Sequence, residues 1–226
     1  MRRLVPGAGG RDKAGVRAPL EALIRLALPP RCPGCSAVVE ADARFCAACW
    51  RALVFLDAGD EASVHAAVAY GPVARRLALQ LKYGGRSGHA VTAAKAMARV
   101  VPAGLDLLVP VPLHRRRMWT RGYNQAWLIA RALGGETGLP VAHLLERRRA
   151  TPVLRGMGPE ARARAVTGAF AVTGDVAGRA VGLIDDVFTT GATARACAEA
   201  LREAGAARVA VICWARVLEP GEDGLD

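Results

Sequence analysis

Two carboxylates, Asp185 and Asp186, close the apolar run Val181 to Ile184 and are followed at once by Thr189, Thr190, Gly191, Ala192 and Thr193. A short apolar run of this kind predicts a buried strand. Ala194, Cys197, Ala198 and Leu201 then recur at helical spacing, with Gly205 at the place of a C-terminal cap. Free N–H groups at the start of such a helix, flanked by threonine hydroxyls, attract a phosphate, and Gly191 lets the backbone approach it closely. The carboxylates suit a different task, accepting hydrogen bonds from a vicinal diol. Diol and phosphate side by side describe a ribose 5-phosphate. The alternative is an ordinary strand, turn and helix with two exposed acids. It does not explain why carboxylates should close a buried strand, where desolvation is costly.

The cysteines point to a second kind of chemistry. Cys32 and Cys35, then Cys46 and Cys49, form two C-x-x-C knuckles, with Gly34 permitting a tight turn in the first. Four thiolates at this spacing close a tetrahedral Zn²⁺ site and leave no open position, so the metal is expected to be structural. A pair of disulfides is the alternative, disfavoured in a reducing compartment. The segment is too small to build its own core, so metal binding is expected to supply much of its folding free energy. Cys197 and Cys213 fall on apolar faces of a helix and a strand and are expected to be core residues.

These sites need a scaffold, and 226 residues with 52% hydrophobic content provide one medium domain and a small appendage. The expected layout is a flexible basic arm over 1–18, a helix and zinc ribbon over 19–56, an α/β domain over 64–218 and an acidic tail over 219–226. No apolar run approaches the ~18 residues of a membrane span. The stretch Pro19 to Leu28 is broken by Glu21 and Arg25, unlike a signal peptide. A cytoplasmic location is expected. The net charge of +11 favours polyanions, either nucleic acid or a substrate with several phosphates. The alternative is that the arginines simply solvate the surface.

Within the larger domain, Val64 to Tyr70 reads as a strand stopped by Gly71-Pro72, and Val73 to Leu81 as a helix. Its end, Lys82 to Arg86, reads as a helix C-terminus with dipole-matched cations, phosphate contact being the alternative. Ala90 to Val101 is a further helix and Leu105 to Val109 a buried strand. Pro110-Val111-Pro112 ends that strand, and its two X-Pro bonds admit a cis peptide. A basic loop follows, with Arg115, Arg116, Arg117, Trp119 and Arg121. Tyr123 to Leu133 is read as a helix with Asn124 as N-cap and Gly134-Gly135 as its stop. Val141 to Leu145 and Val209 to Trp214 complete the strands, and Trp127 and Trp214 are expected in the core. The fold class is therefore α/β, an open parallel sheet flanked by helices. Ligands of such sheets lie outside the carboxyl ends of the strands, so both polar loops are expected to face one crevice.

The stretch D-D-V-F-T-T-G-A-T resembles the phosphoribosyl diphosphate (PRPP) site of type I phosphoribosyltransferases. The stretch P-V-P-L-H-R-R-R-M-W-T-R-G-Y-N-Q-A resembles the P-V-P-L…R-G-[FY]-N-Q signature of the ComF family of competence-associated proteins. That family also carries a double C-x-x-C ribbon and an L-K-[YF]-x-G segment, and all four motifs occur here in order between Pro30 and Val217. The resemblance implies a type I phosphoribosyltransferase-like fold with a zinc ribbon. It also implies a link to natural transformation, in which family members support uptake of single-stranded DNA.

Carried onto this chain, the resemblance gives Asp185 and Asp186 the ribose hydroxyls and Thr189, Thr190, Gly191, Ala192 and Thr193 the 5-phosphate. Pro112 belongs to a diphosphate turn, with Arg115 and Arg121 neutralising its charge. Asp185, Asp186 and Arg121 would form the catalytic set, and Mg²⁺ would ride on the diphosphate and water. Arg115, Arg116, Arg117, Trp119 and Arg121 are the candidates for contact with single-stranded DNA. A competence helicase or DNA-processing protein is the implied protein partner. The chain departs from the family at Leu154 and Ala165, where glutamine and asparagine are usual. Thr189 also stands where hypoxanthine- and guanine-transferring relatives place an acid. The acceptor is thus left unspecified. Three readings remain: a phosphoribosyltransferase of nucleotide metabolism, a non-catalytic module sensing PRPP or a nucleotide, and a DNA-transfer factor. A phosphoribosyl-site fold working in DNA uptake joins the strongest motifs.

Overall fold

The computed structural model describes residues 29–57, 64–83, 87–113, 115–148 and 168–218, without the side chains of 87 and 115–117. The expected arm, N-terminal helix and acidic tail, and the departures at Leu154 and Ala165, lie outside these residues.

Four strands form one parallel sheet in the order β1-β6-β5-β2: β1 Val64–Ala69, β2 Leu107–Pro110, β5 Ala180–Phe188 and β6 Arg208–Arg216. The two central strands are the longest, and β6 is buried at every position from Val209 to Ala215. Near-continuous apolar sequence is what a parallel strand covered on both faces requires. A separate antiparallel pair joins β3, Leu145–Arg147, to β4, Phe170–Val172. The architecture is thus α/β with parallel and antiparallel pairing, and its main sheet is parallel as expected.

One face of the sheet is covered by α2, Pro72–Tyr83, α3, Ser87–Met97, and α5, Gln125–Thr137, around Leu77, Met97, Ile129, Ile184 and Trp214. The other face carries α6, Ala192–Glu203, around Leu183, Cys197, Leu201 and Cys213. Cys197 and Cys213 are fully buried, as expected of core cysteines, and burial pushes both thiols upward. Trp214 is buried and donates its indole N–H to Ala74 O at 3.1 Å. Trp127 is only half-buried and stacks on His143, so it is a boundary residue rather than the expected core one.

Several boundaries move for physical reasons. Pro72 opens α2 instead of only stopping β1, because its missing N–H costs nothing in a first helical turn. The expected basic loop is partly a short helix, α4, Arg115–Arg121. Gly134 and Gly135 do not stop α5, which continues to a left-handed Gly138 cap. A Cβ on Gly134 would meet Val141 Cγ2 at 2.7 Å, so that glycine serves a close approach. Val141 forms only an isolated bridge to Leu108, and the strand begins at Leu145. Most relevant to function, β5 does not end at Ile184 but runs through both aspartates to Phe188.

The cysteine segment contains a short helix, α1, Ala47–Arg51, and leaves along Val54 to Leu56, which pairs antiparallel with the outer edge of β1. This covers a sheet edge that would otherwise be open. Phe45 stacks on Trp214 with ring centroids 6.1 Å apart, and Arg76 on α2 donates to Gly34 O at 2.7 Å. Among the described residues no helix is long and apolar enough to cross a membrane.

Candidate functional site

Strand alternation separates the two acids. Asp186 shares the parity of Ile184 and faces α2, where Lys82 Nζ lies 2.6 Å from Asp186 Oδ2. Asp185 shares the parity of Leu183 and faces the α6 side, where its charge is felt by Cys197 and Cys213. Burial raises the Asp185 carboxyl to about 8, the adjacent Asp186 charge adds to the rise, and the Asp186 N–H donated to Asp185 Oδ1 at 2.8 Å opposes it. Burial alone would lower the Lys82 pKa, but the Asp186 charge and hydrogen bond outweigh it and raise it. One strand end therefore holds a buried acid of raised pKa on one face and an acid paired with a lysine on the other.

The neighbouring strand end brings the second expected motif alongside. Pro110 pairs with Ile184, and Val111 N–H donates to Ile184 O at 2.9 Å. Both X-Pro bonds in this turn are trans, so the cis option is not used. Asn124 caps α5 by accepting from Ala126 N–H at 3.0 Å, as expected. Its Nδ2 also donates to Val111 O at 3.0 Å, clipping the start of α5 to the turn that holds Pro112. Gly122, at φ +75°, makes the bend between α4 and α5. Arg121 donates to Gln125 Oε1 at 3.3 Å and lies over the Tyr83 ring at 5.2 Å, beside Lys82.

The turn after β5 also takes shape around a glycine. Gly191 precedes α6 at φ +69°, and a Cβ there would clash with the Phe188 ring. The N-cap, Gly191, has no side chain to cap the helix, Thr189 is exposed, and Thr190 and Thr193 are half-buried. Arg195 donates to Thr190 O and lies over the Phe188 ring, which braces the turn from the helix side.

Asp185, Asp186, Pro112, Arg121 and the Thr189–Thr193 turn thus gather at the carboxyl ends of β2 and β5. Trp119 lies on α4 and is 88% exposed. The Arg115, Arg116 and Arg117 side chains lie outside the described residues. Lys82 lies in the last turn of α2, as expected from the sequence, and its ammonium also belongs to this cluster through Asp186. Asn124 was recognised as a cap but not as a clip. A usable signal for Lys82 was its type, one of three lysines, with Lys13 and Lys95, in a chain with 31 basic residues.

The four ribbon thiols fit a tetrahedral metal. Their sulfurs lie within 4.8 Å of one another, near the ~3.8 Å edge set by 2.3 Å Zn–S bonds. Backbone N–H groups point at two of the sulfurs: Cys46 and Gly34 at Cys32 Sγ, 3.3 and 3.4 Å, and Cys49 at Cys46 Sγ, 3.5 Å. Burial raises the Cys32 thiol, but these donors outweigh it and bring it to about 7, whereas burial and the neighbouring thiols push the Cys49 thiol up, so a metal would have to displace a proton there. A Cβ on Gly34 would lie 2.7 Å from Cys49 Sγ, so only glycine fits inside the cluster.

Residues 23–60 match the double zinc ribbon domain family. The DNA utilization protein YhgH of Salmonella typhi is 35% identical over 158 residues, 66% of this chain and 70% of that protein. YhgH of Escherichia coli K12 is 34% identical over the same shares. Competence protein F of Haemophilus influenzae is 33% identical over 115 residues, 49% of this chain and 50% of its own. The chain belongs to the competence-associated ComF family, with its double C-x-x-C ribbon. A glutamine PRPP amidotransferase from B. subtilis, solved with ADP and GMP, matches 59% of this chain and 30% of its own at 23% identity and a TM-score of 0.42.

Proposed function

We propose that the chain binds PRPP or a related ribose phosphate at the carboxyl ends of β2 and β5, and that this binding serves the handling of incoming single-stranded DNA. One observation carries the ligand half: a buried, ion-paired carboxylate, Asp186, stands two residues before the Phe188–Gly191 turn that starts α6. A hydroxyl-accepting acid and an anion-accepting turn then share one strand end. Mg²⁺, if used, would be held mainly by diphosphate oxygens and water, since the described residues offer the ligand few free carboxylates. The DNA half draws on the similarity to a DNA utilization protein and a competence protein. The cytoplasm is the expected setting, where thiols stay reduced. The acceptor side carries no specified base partner, so binding is the primary claim and group transfer the secondary one.

The deciding experiment is titration calorimetry with PRPP and Mg²⁺, paired with transformation assays of Asp185→Ala/Asp186→Ala. Saturable binding that the double variant abolishes, with loss of transformation, supports the reading. No binding, and a variant that transforms normally, rejects it. Diphosphate release across a set of bases separates a transferase from a sensor.

Direct DNA contact has an observation of its own, the 88% exposure of Trp119 on an arginine-bearing helix. An exposed indole among cations is a stacking platform for unpaired bases. Salt-dependent binding of single-stranded DNA that weakens in Trp119→Ala and Arg121→Ala is expected. Absence of binding even at low salt removes this role.

A further inference from the structure

We propose that Lys82 determines which ribose phosphate the site accepts: it releases Asp186 only to a ligand that brings a second anion to the C1 side of the ribose. The inference rests on the phosphoribosyl reading above. Lys82 and Asp186 are both shielded, with 27% and 6% of their side-chain surface exposed, and lie 2.6 Å apart. Ribose hydroxyls that bond to Asp186 compete for the oxygen the ammonium now holds. Displacing that ammonium with nothing to receive it strands a shielded charge, and a half-broken pair of this kind is strongly unfavourable. A ligand carrying its own phosphate or diphosphate at that point offers a replacement partner, so the exchange proceeds.

Geometry fixes which end of the ligand does this. The Thr189–Thr193 turn feeds α6 on one face of the sheet, whereas Lys82 ends α2 on the other. A ribose whose 5-phosphate occupies the turn therefore directs its opposite end toward Lys82. Arg121 already lies there, over the ring of Tyr83, the residue after Lys82, and its charge repels that of Lys82. Two cations held together beside one carboxylate are best satisfied by a group with more than one negative charge.

Residue type points the same way. Lys82 is one of three lysines in a chain with 31 basic residues, the rest being arginine. An arginine here would lock Asp186 with a planar two-pronged contact. An ammonium on a rotatable stem can change partners.

The test compares PRPP with ribose 5-phosphate, each with Mg²⁺, on the wild type and on Lys82→Gln by calorimetry. The wild type is expected to prefer PRPP, and Lys82→Gln to shrink that preference at least about tenfold while binding ribose 5-phosphate as well as before or better. An unchanged ratio overturns the role of Lys82 and leaves the phosphoribosyl reading standing. If the wild type binds neither ligand, the reading itself has failed and the inference falls with it. Because removing Lys82 leaves Asp186 without its cation, a second measurement uses the wild type alone. With three lysines in the chain, the ¹⁵N signal of Lys82 Nζ is readily assigned. PRPP should shift it to a position that saturating ribose 5-phosphate does not produce, and identical shifts overturn the inference.

Discussion

Asp185 and Asp186 are consecutive, yet the strand sends them to opposite faces: Asp186 to the ammonium of Lys82, 2.6 Å away, and Asp185 toward α6 and Cys213. Among the described residues only Asp186 has a cation in contact. The other is raised to about 8 from the ordinary 3.8, chiefly by burial. A raised acid pKa means that the folded protein holds a proton the unfolded chain has already lost. Between those values stability therefore falls as pH rises, and the loss is complete once pH passes the folded value. From pH 6 to pH 8 the expected loss is about 2 kcal/mol. Asp185→Asn mimics the protonated acid and should flatten the profile, with a higher Tm than wild type above pH 8. Parallel thermal melts of the two proteins check this, and parallel pH profiles would show that Asp185 is already ionised.

Asn124 ties two strand-end motifs together with one side chain. Its oxygen caps α5 and its nitrogen serves the buried carbonyl of Val111. Asn124→Ala removes the cap and leaves that carbonyl unpaired, an expected cost of about 2–3 kcal/mol. Asn124→Asp keeps the cap but turns an acceptor toward the Val111 carbonyl, so it should be no better than alanine. Urea unfolding of both variants measures this. A cost for Asn124→Asp near zero would mean that the clip to Val111 contributes nothing.

Much of this arrangement was legible in the sequence because it is local. The apolar run before Asp185, the helical spacing after Gly191, the Asn124 cap and the four cysteines each announce themselves within a few residues. What was not legible depends on contacts across the fold. β5 continues through the aspartates because Asp185 and Val187 find partners on β6, Cys213 and Ala215. Gly134 looks like a stop and is instead the floor under Val141. Lys82 sits in the last turn of α2, where a cation suits the helix dipole. Its pairing with Asp186, more than a hundred positions later, has no local signature.

The zinc ribbon should stabilise the larger domain as well as itself. Phe45 stacks on Trp214 at 6.1 Å, and Arg76 reaches Gly34 O at 2.7 Å. Purified protein is expected to contain one zinc per chain, and chelation to lower Tm while shifting the fluorescence of Trp214 as Phe45 leaves it. Gly34→Ala should lose zinc at chelator concentrations the wild type withstands, because its methyl would crowd Cys49 Sγ at 2.7 Å. Arg76→Ala tests the joint without touching the metal: full zinc content with a lower Tm is expected. A Tm equal to wild type would show that the ribbon rides on the domain without supporting it.

Gly191 carries two demands at once. Its φ of +69° is one that side-chain-bearing residues rarely adopt, and a Cβ would clash with the Phe188 ring, over which Arg195 also lies. Gly191→Ala therefore has to move the ring, the turn or both, at an expected cost of at least about 1–2 kcal/mol. Phe188→Leu in the same background makes room for the methyl without relieving the backbone. If the double variant recovers much of the lost stability, the clash dominates; if it recovers little, the left-handed backbone does. Ligand binding reads out separately. The N–H groups of the turn are aimed by this backbone, so Gly191→Ala should lose affinity for PRPP by more than tenfold even at a temperature where the variant is fully folded. Unchanged affinity in a folded variant would place the phosphate elsewhere.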